Sequence, residues 1–355
     1  MTTQMRETEQ KYEAGQDLIL PPLDGLPRVA DVSEPETETL TAEYYDTGDL
    51  WLLRAGITLR RRPGGADEGW HLKLPAAARD TTGRTAPVSR HELRLPLRRS
   101  GDPVPAERAG LLVAYTRGAP LRPVARIETR RSRTTLRDAN GTSLAEVAAD
   151  EVAAQTLGAS ATLSRWNEVE VELTGGSPEL LRAADGRLRR GGLRPAARAA
   201  KLERALASEL PAPAARTGRR LSRRSSSGEV LLAYLDAQAA RLKFLDLAVR
   251  RDEPDAVHQM RVTTRRLRSV LRSFPMILPS DATRHLRDEL KWLGAVLGEA
   301  RETEVLTERT RTELAGLPAE LVLGPAAARI TAHFAPREAA ARRAAADRDG
   351  VGARR

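Results

Sequence analysis

Cysteine is absent from this 355-residue chain, which excludes disulfides, thiolate metal sites and cysteine nucleophiles. Any metal must therefore be held by oxygen or imidazole. Aromatic residues make up only 3%, so a core has to be assembled mainly from Leu, Val and Ala. Lysine is scarce as well: the 58 basic residues include only Lys11, Lys73, Lys201, Lys243 and Lys291. Where arginine fills nearly every basic position, a surviving lysine points to a place that needs a compact ammonium rather than a planar fork. No run reaches the ~18 consecutive apolar residues of a membrane span, and the opening MTTQMRETEQKYE lacks an apolar signal-type segment. A cytoplasmic protein with no membrane partner is the expectation.

What is abundant is positive charge. A formal net charge of +10 argues for an anionic partner, either nucleic acid or another polyanion such as polyphosphate, and composition does not separate the two. The length suits two domains, since single cores seldom grow past roughly 250–300 residues. From Arg6 to about Glu172 the dominant signal is period-two alternation broken by Gly, Pro and Asp clusters, which predicts antiparallel strands. Gly64-Gly65 and Asn140-Gly141 read as hairpin turns. Ser177-Pro178 opens an expected helix through Leu188, and Pro195–Leu210 reads as another. Residues 211–228, rich in Pro, Gly, Ser and Arg, read as a flexible basic linker. Beyond them, 229–338 is helix-forming sequence punctuated by proline, which suits an antiparallel bundle of three or four helices, and 339–355 is expected to fray.

A strand sends residues i, i+2 and i+4 to one face. Glu7, Glu9 and Lys11 thus form one charged row, and Glu168, Glu170 and Glu172 another, whose intervening Val169, Val171 and Leu173 must pack on the opposite side. Basic rows share this parity: Arg60 with Arg62, then Lys73, Arg90 with Glu92 and Arg94, and Arg131 with Arg133. On an open sheet such faces are solvated; in a closed barrel they become one lumen. Carboxylates beside clustered cations suit a divalent cation, Mg²⁺ or Mn²⁺, bound together with a phosphate chain. His71 and His91 lie in strands among Arg and Glu and are expected at the surface rather than as bases.

Glu7-x-Glu9-x-Lys11 resembles the hallmark of the CYTH family, the triphosphate tunnel metalloenzymes. The resemblance continues through Tyr44-Tyr45-Asp46-Thr47, Gly56-x-x-Leu59-Arg60-x-Arg62, Lys73, Thr129-Arg130-Arg131, Leu144-Ala145-Glu146-Val147 leading to Asp150, the Glu168/Glu170/Glu172 strand, and Ala200-Lys201-Leu202-Glu203-Arg204-Ala205. It implies an eight-stranded antiparallel β-tunnel with flanking helices that hydrolyses inorganic or thiamine triphosphate, or cyclises ATP. Carried over, Glu7 and Glu9 join two of Glu168, Glu170 and Glu172 in holding metal, and Asp150 completes the acidic set. Lys11, Arg60, Arg62, Lys73, Arg90, Arg131 and Lys201 bind phosphates. Which two glutamates of the last strand are equivalent, and whether Arg130 or Arg131 points inward, stay open at this level.

In the second half Val257, Met260, Thr264, Leu267, Leu271 and Phe274 form an apolar helical stripe. One residue on, His258, Arg261, Arg265, Arg268 and Arg272 repeat at the same spacing without acidic partners four residues away. The stretch Val257–Arg268, with Leu290-Lys291-Trp292-Leu293 and Leu297-Gly298-x-Ala300-Arg301, resembles the CHAD family, which binds inorganic polyphosphate along a basic groove. That implies polyphosphate contacts from His258, the four arginines, Lys291 and Arg301, and association with polyphosphate granules. Nucleic acid is disfavoured as partner, since the domain offers no recognisable nucleic-acid module and few aromatics for base stacking. The family pattern has two similar helical halves and this sequence shows one, so a shortened CHAD domain is expected, standing alone or pairing with a second chain.

The sequence thus predicts an α+β protein of two domains: a tunnel over 1–210, a linker over 211–228, a helical bundle over 229–338 and a tail over 339–355. The expected activity is metal-dependent hydrolysis of inorganic triphosphate or short polyphosphate. A noncatalytic polyphosphate-binding protein is the second expectation, and a class IV adenylate cyclase the third.

Overall fold

In a computed structural model of the protein, the described residues are 3–15, 19–65, 67–75, 88–97, 103–158, 160–198, 200–210 and 221–346. The chain divides into two compact units, Met1–Ala214 and Ala215–Arg355.

In the first unit the alternating segments become eight long strands: β1 (Thr3–Ala14), β2 (Glu36–Asp46), β3 (Thr58–Arg62), β4 (Gly69–Pro75), β5 (Val88–Leu95), β6 (Arg122–Arg137), β7 (Ser143–Thr156) and β8 (Leu163–Leu173). They are hydrogen-bonded in the order β1-β5-β4-β3-β2-β6-β7-β8, and β8 pairs again with β1. Every pairing is antiparallel. The sheet therefore closes into an eight-stranded barrel without free edges, which turns one face of each strand into a lumen.

The other face carries the apolar partners of the charged rows. Tyr12, Leu136, Leu144, Val147, Val169 and Val171 are buried beneath helix α1 (Pro178–Arg190), which contributes Leu180, Leu181, Ala184 and Leu188. Each such leucine contributes about 1.5–3 kcal/mol by leaving water. Pro178 opens α1 where a missing amide hydrogen costs nothing. Tyr12 Oη donates to Asp185 of α1 at 3.1 Å, tying β1 to the helix. The buried Asp46 carboxylate accepts from the amides of Thr47, Leu52 and Leu53 at 2.7–2.9 Å and so holds the short helix Trp51–Arg54 at the end of β2.

The helix expected over Pro195–Leu210 is reduced to α2 (Lys201–Ala205). Arg194 and Pro195 instead pair with Glu13 and Tyr12, so backbone bonding to β1 takes the place of a helical start.

The second unit contains α3 (Ser227–Arg250), α4 (Ala256–Ser273), α5 (Ser280–Ala315) and α6 (Ala326–Ala346). Of the expected linker, 211–220 lies outside the described residues; Ser227 and Gly228 already belong to α3, whose start is fixed by a capping box between Ser226 and Glu229. Of the tail expected to fray, 339–346 is helical, and 347–355 lies outside the described residues. Leu245, Val257, Met260, Leu293, Leu297 and Ala300 form one apolar cluster, and Leu267, Leu271 and Leu290 another. Phe274 departs from its expected place in that stripe and is 44% exposed, because α4 stops at Ser273.

Candidate active site

Register places the charged rows on one lumen. Glu9 stands opposite Glu172 and Lys11 opposite Glu170, where β1 meets β8. Asp150 faces Glu168 on one side and Arg131 on the other. Lys73 lies opposite Glu92, and Glu7 opposite Arg90. The strand-borne tunnel residues expected from the sequence, Arg60 and Arg62 included, thus share one face, and Lys201 reaches it from α2. Arg131 is the inward member of its pair: its side chain is 22% exposed, against 65% for Arg130.

The carboxylates separate into two groups by what neutralises them. Lys201 Nζ sits 2.8 Å from Asp150, 2.7 Å from Glu168 and 2.6 Å from Glu170. Arg131 Nη2 lies 2.7 Å from Asp150 and 2.6 Å from Glu170, and Lys11 also pairs with Glu170. Burial opposes the charge on Glu170, but Lys11, Lys201 and Arg131 outweigh it and hold that carboxyl well below its usual range. Burial likewise opposes the Lys201 ammonium, and its three carboxylates overcome this to push it upward.

Glu7 and Glu172 are less well compensated; at Glu9 burial opposes the charge, but Lys11, Lys73 and Arg90 outweigh it and lower that carboxyl. Lys73 Nζ is 2.6 Å from Glu7; Lys11 and Arg90 reach Glu9 at 3.5 and 3.7 Å. Burial is the largest influence raising Glu7, with Glu92 adding to it against the pull of Lys73. Burial together with Glu7, Glu9 and Glu170 pushes Glu172 up to about 7. Oxygens of Asp150, Glu168 and Glu170 lie within 4.8 Å of one another, a spacing open to metal, yet the Lys201 ammonium already occupies their centre. The deficit of positive charge is at Glu7 and Glu172, which with the neighbouring Glu9 make an all-oxygen set that fits a hard divalent cation.

The cationic wall has the opposite deficit. Arg62 is only 8% exposed, and the Nε atoms of Arg60 and Arg62 are buried without a hydrogen-bond partner among the described residues. Burial and the neighbouring Arg60 lower Arg62 to about 10. Unpaired guanidinium edges in an enclosed lumen are receptive to phosphoryl oxygens. Tyr44 belongs to this wall: burial disfavours its phenolate, but the Arg60 contact outweighs that and lowers its pKa.

His71 overturns its surface expectation, being 1% exposed. It stands two residues before Lys73 on β4 and so faces the lumen. Nδ1 lies 3.1 Å from Glu92 Oε1 and Nε2 lies 3.0 Å from the Asp67 carbonyl oxygen, leaving neither nitrogen open to a substrate. Glu92 is fully buried and also faces Arg60 at 3.6 Å and Lys73 at 3.9 Å, which makes it the counter-ion of the cationic wall. Its parity with Arg90 was the available signal. His91, one residue on, takes the opposite parity.

One end of the lumen is closed. Continuing inward parity from Asp150 leads to Val152 and Ala154, from Glu168 to Trp166, and from Arg131 to Ile127. These residues cluster with Leu202, Ala205 and Leu206 at α2. The same helix that supplies Lys201 to the acidic group thus stoppers the barrel with its apolar side.

In the second unit Arg261, Arg265, Arg268 and Arg272 are exposed along α4, and His258 is partly buried. Among the described residues no ion pair involves these four arginines. Lys291 is exposed on α5, whereas Arg301 pairs with Glu304 at 3.1 Å. No helix among the described residues is long and apolar enough to cross a membrane.

Comparison with known proteins places these geometries. The model of the CYTH domain matches residues 5–190 and that of the CHAD domain residues 233–350. An uncharacterized protein of Mycobacterium tuberculosis strain H37Rv, and another of strain CDC 1551, are each 39% identical over 331 residues, covering 90% of this chain. The chain spans 62% of the length of these relatives. Among solved structures, the PH1819 protein of Pyrococcus horikoshii OT3 is 15% identical over 57% of this chain and 99% of its own, with a TM-score of 0.31. HpAC1 of Hippeastrum, named for adenylyl cyclase and described by a dominant triphosphatase activity, is 19% identical over 58% of this chain and 98% of its own, with a TM-score of 0.32. With its β-tunnel followed by a CHAD domain, the chain belongs to the CYTH family.

Proposed function

We propose that the barrel hydrolyses inorganic triphosphate or the end of a short polyphosphate with a divalent metal, and that the helical unit captures polyphosphate through its arginine row. The observation that carries this reading is the paired deficit inside one lumen: undercompensated carboxylates at Glu7 and Glu172 beside Glu9, and buried guanidinium edges at Arg60 and Arg62. A metal and a polyanion bound together would satisfy both.

In this reading Glu7, Glu9 and Glu172 hold Mg²⁺ or Mn²⁺, which when bound supplies Lewis-acid polarisation of phosphoryl oxygens. Arg60, Arg62, Lys73, Arg90 and Arg131 take the remaining phosphoryl oxygens and stabilise the charge that develops as water replaces the bridging oxygen at phosphorus. Lys201 holds Asp150, Glu168 and Glu170 in place through its ion pairs, and Lys11 adds a second one to Glu170. The apolar stopper at α2 supports entry by one mouth, with a chain end presented to the metal. The working domains are 1–210 and 229–338, acting in the cytoplasm, at polyphosphate granules where these occur.

The test is phosphate release from inorganic triphosphate, ATP, thiamine triphosphate and long-chain polyphosphate, each with Mg²⁺ or Mn²⁺, with cyclic AMP measured in parallel. Rapid release from triphosphate supports the proposal. Binding without turnover would assign a noncatalytic polyphosphate-binding role, and cyclic AMP formation a cyclase.

A further inference from the structure

The turn between β3 and β4 lies at the end of the barrel away from α2. Strand β2 runs toward the α2 end with Ala42 and Tyr44, both in the apolar stopper, and β3 runs back antiparallel to it, so Arg62 points out toward the open mouth. Gly69 pairs with Arg62 and Arg94 with His71, which brings Arg62 and Arg94 to this mouth from two sides. Asp67, in the connecting turn, places its carboxylate between them. It pairs with Arg62, lies 2.9 Å from Arg94 Nη1, and stands 3.6 Å from His71 Nε2. Its own backbone oxygen receives the closer His71 contact at 3.0 Å, which anchors the residue. The side chain is 27% exposed, so solvent and solutes reach it from the mouth.

We propose that Asp67 is a built-in competitor for the entrance cations: its carboxylate holds Arg62 and Arg94 in the free protein and must yield them to a phosphoryl group entering the lumen. This rests on the triphosphate reading above and adds how the site selects among anions. A multiply charged chain repays the displacement through Arg60, Lys73 and Arg131 deeper in, whereas a single phosphate meets only the guarded mouth. The lowering of Arg62 despite Asp67 agrees with a carboxylate that compensates this cation only in part. Nothing in the proposed chemistry needs Asp67, which faces the mouth rather than the group formed by Glu7, Glu9 and Glu172.

The experiment compares wild type with Asp67→Asn and Asp67→Glu by calorimetric titration in Mg²⁺. The probes are diimidotriphosphate, whose P–N–P bridges resist hydrolysis, and inorganic phosphate. Removing the competing charge should tighten diimidotriphosphate binding by about fivefold, the scale of a partly exposed ion pair, and tighten phosphate by at least as much. Asp67→Glu, which keeps the charge, should stay near wild type. Unchanged affinity in Asp67→Asn, or weaker affinity with an unaltered melting temperature, would overturn the proposal, the latter by making Asp67 a brace that orients the arginines. If wild type itself fails to bind diimidotriphosphate, the triphosphate reading falls and this inference with it.

Discussion

The barrel and the helical bundle both collect charge, but they store it in opposite ways. In the barrel, acids and bases are buried together, and Glu7, Asp150, Glu168 and Glu170 are each locked to a cation at 2.6–2.8 Å. On α4, arginines alone project outward into water with no ion-pair partner among the described residues. A buried array of mixed sign cannot reorganise cheaply, so it fixes donors and acceptors in advance of a reaction. An exposed array of one sign fixes little, but it attracts polyanions over a Debye length and releases them as salt rises. Under the proposed function the contrast becomes a division of labour: geometry for chemistry in one unit, field for capture in the other.

The sharpest way to break that contrast is to disable the buried array while sparing the exposed one. Glu9→Gln should lower turnover of Mg²⁺-triphosphate by about a thousandfold, ~4 kcal/mol of activation free energy. Long-chain polyphosphate should still bind, and the melting profile should remain cooperative. Phosphate release at the wild-type rate would remove catalysis from the lumen. Next in size is Lys201→Met, which leaves Asp150, Glu168 and Glu170 crowded around an apolar side chain. Losing one partner of a buried charge cluster costs about 3–5 kcal/mol. Urea melts at neutral pH would register this, and a loss below ~1 kcal/mol, the worth of an exposed pair, would mean that the group is solvated rather than held.

Much of this site was legible because strand parity is strict. Once Glu7 was placed inward, Glu9 and Lys11 followed, and the same rule carried Arg60 to Arg62 and Glu168 to Glu172. Parity did not say which strands would be neighbours, and so it could not tell the satisfied carboxylates from the unsatisfied ones: Glu168 and Glu172 share a face but meet different cations. His71 was misplaced for a related reason. A histidine sharing a strand face with charged residues, as His71 does with Lys73, looks solvated until barrel closure turns that face into an interior. The helix expected from Pro195 also failed on tertiary grounds, since pairing of Arg194 and Pro195 with β1 overrode local propensity. In the bundle, the 3–4 spacing identified the buried stripe, but Phe274 lay one residue past the end of α4 and turned out to solvent.

Glu172 sharpens the comparison through pH. Its folded pKa of about 7 lies above the ordinary 4.5. Below pH 4.5 it is protonated in folded and unfolded chains alike and has no effect on stability. As pH rises from 4.5 to 7, the unfolded chain sheds the proton first, so stability falls, by up to about 3 kcal/mol. Glu172→Gln should therefore be more stable than wild type above pH 7 in EDTA and indistinguishable below pH 4.5. Added Mg²⁺ should narrow the gap at high pH by stabilising wild type alone. A gap that ignores Mg²⁺ would argue that these glutamates do not form the metal seat, whatever the activity.

The smallest expected effect belongs to the exposed array. Replacing Arg261, Arg265, Arg268 and Arg272 by serine should weaken long-chain polyphosphate binding by about tenfold at low salt, since each solvated cation contributes only a few tenths of a kcal/mol. The wild-type advantage should fade as ionic strength rises and the Debye length shrinks below the spacing between charges. Triphosphate turnover should be unchanged, because the substrate of the barrel needs no capture. Equal binding by the two proteins at low salt would leave the arginine row as an ordinary solvated helix face. A loss that persisted at high salt would instead require close, partly desolvated contacts, and the partly buried His258 would then be the next residue to replace.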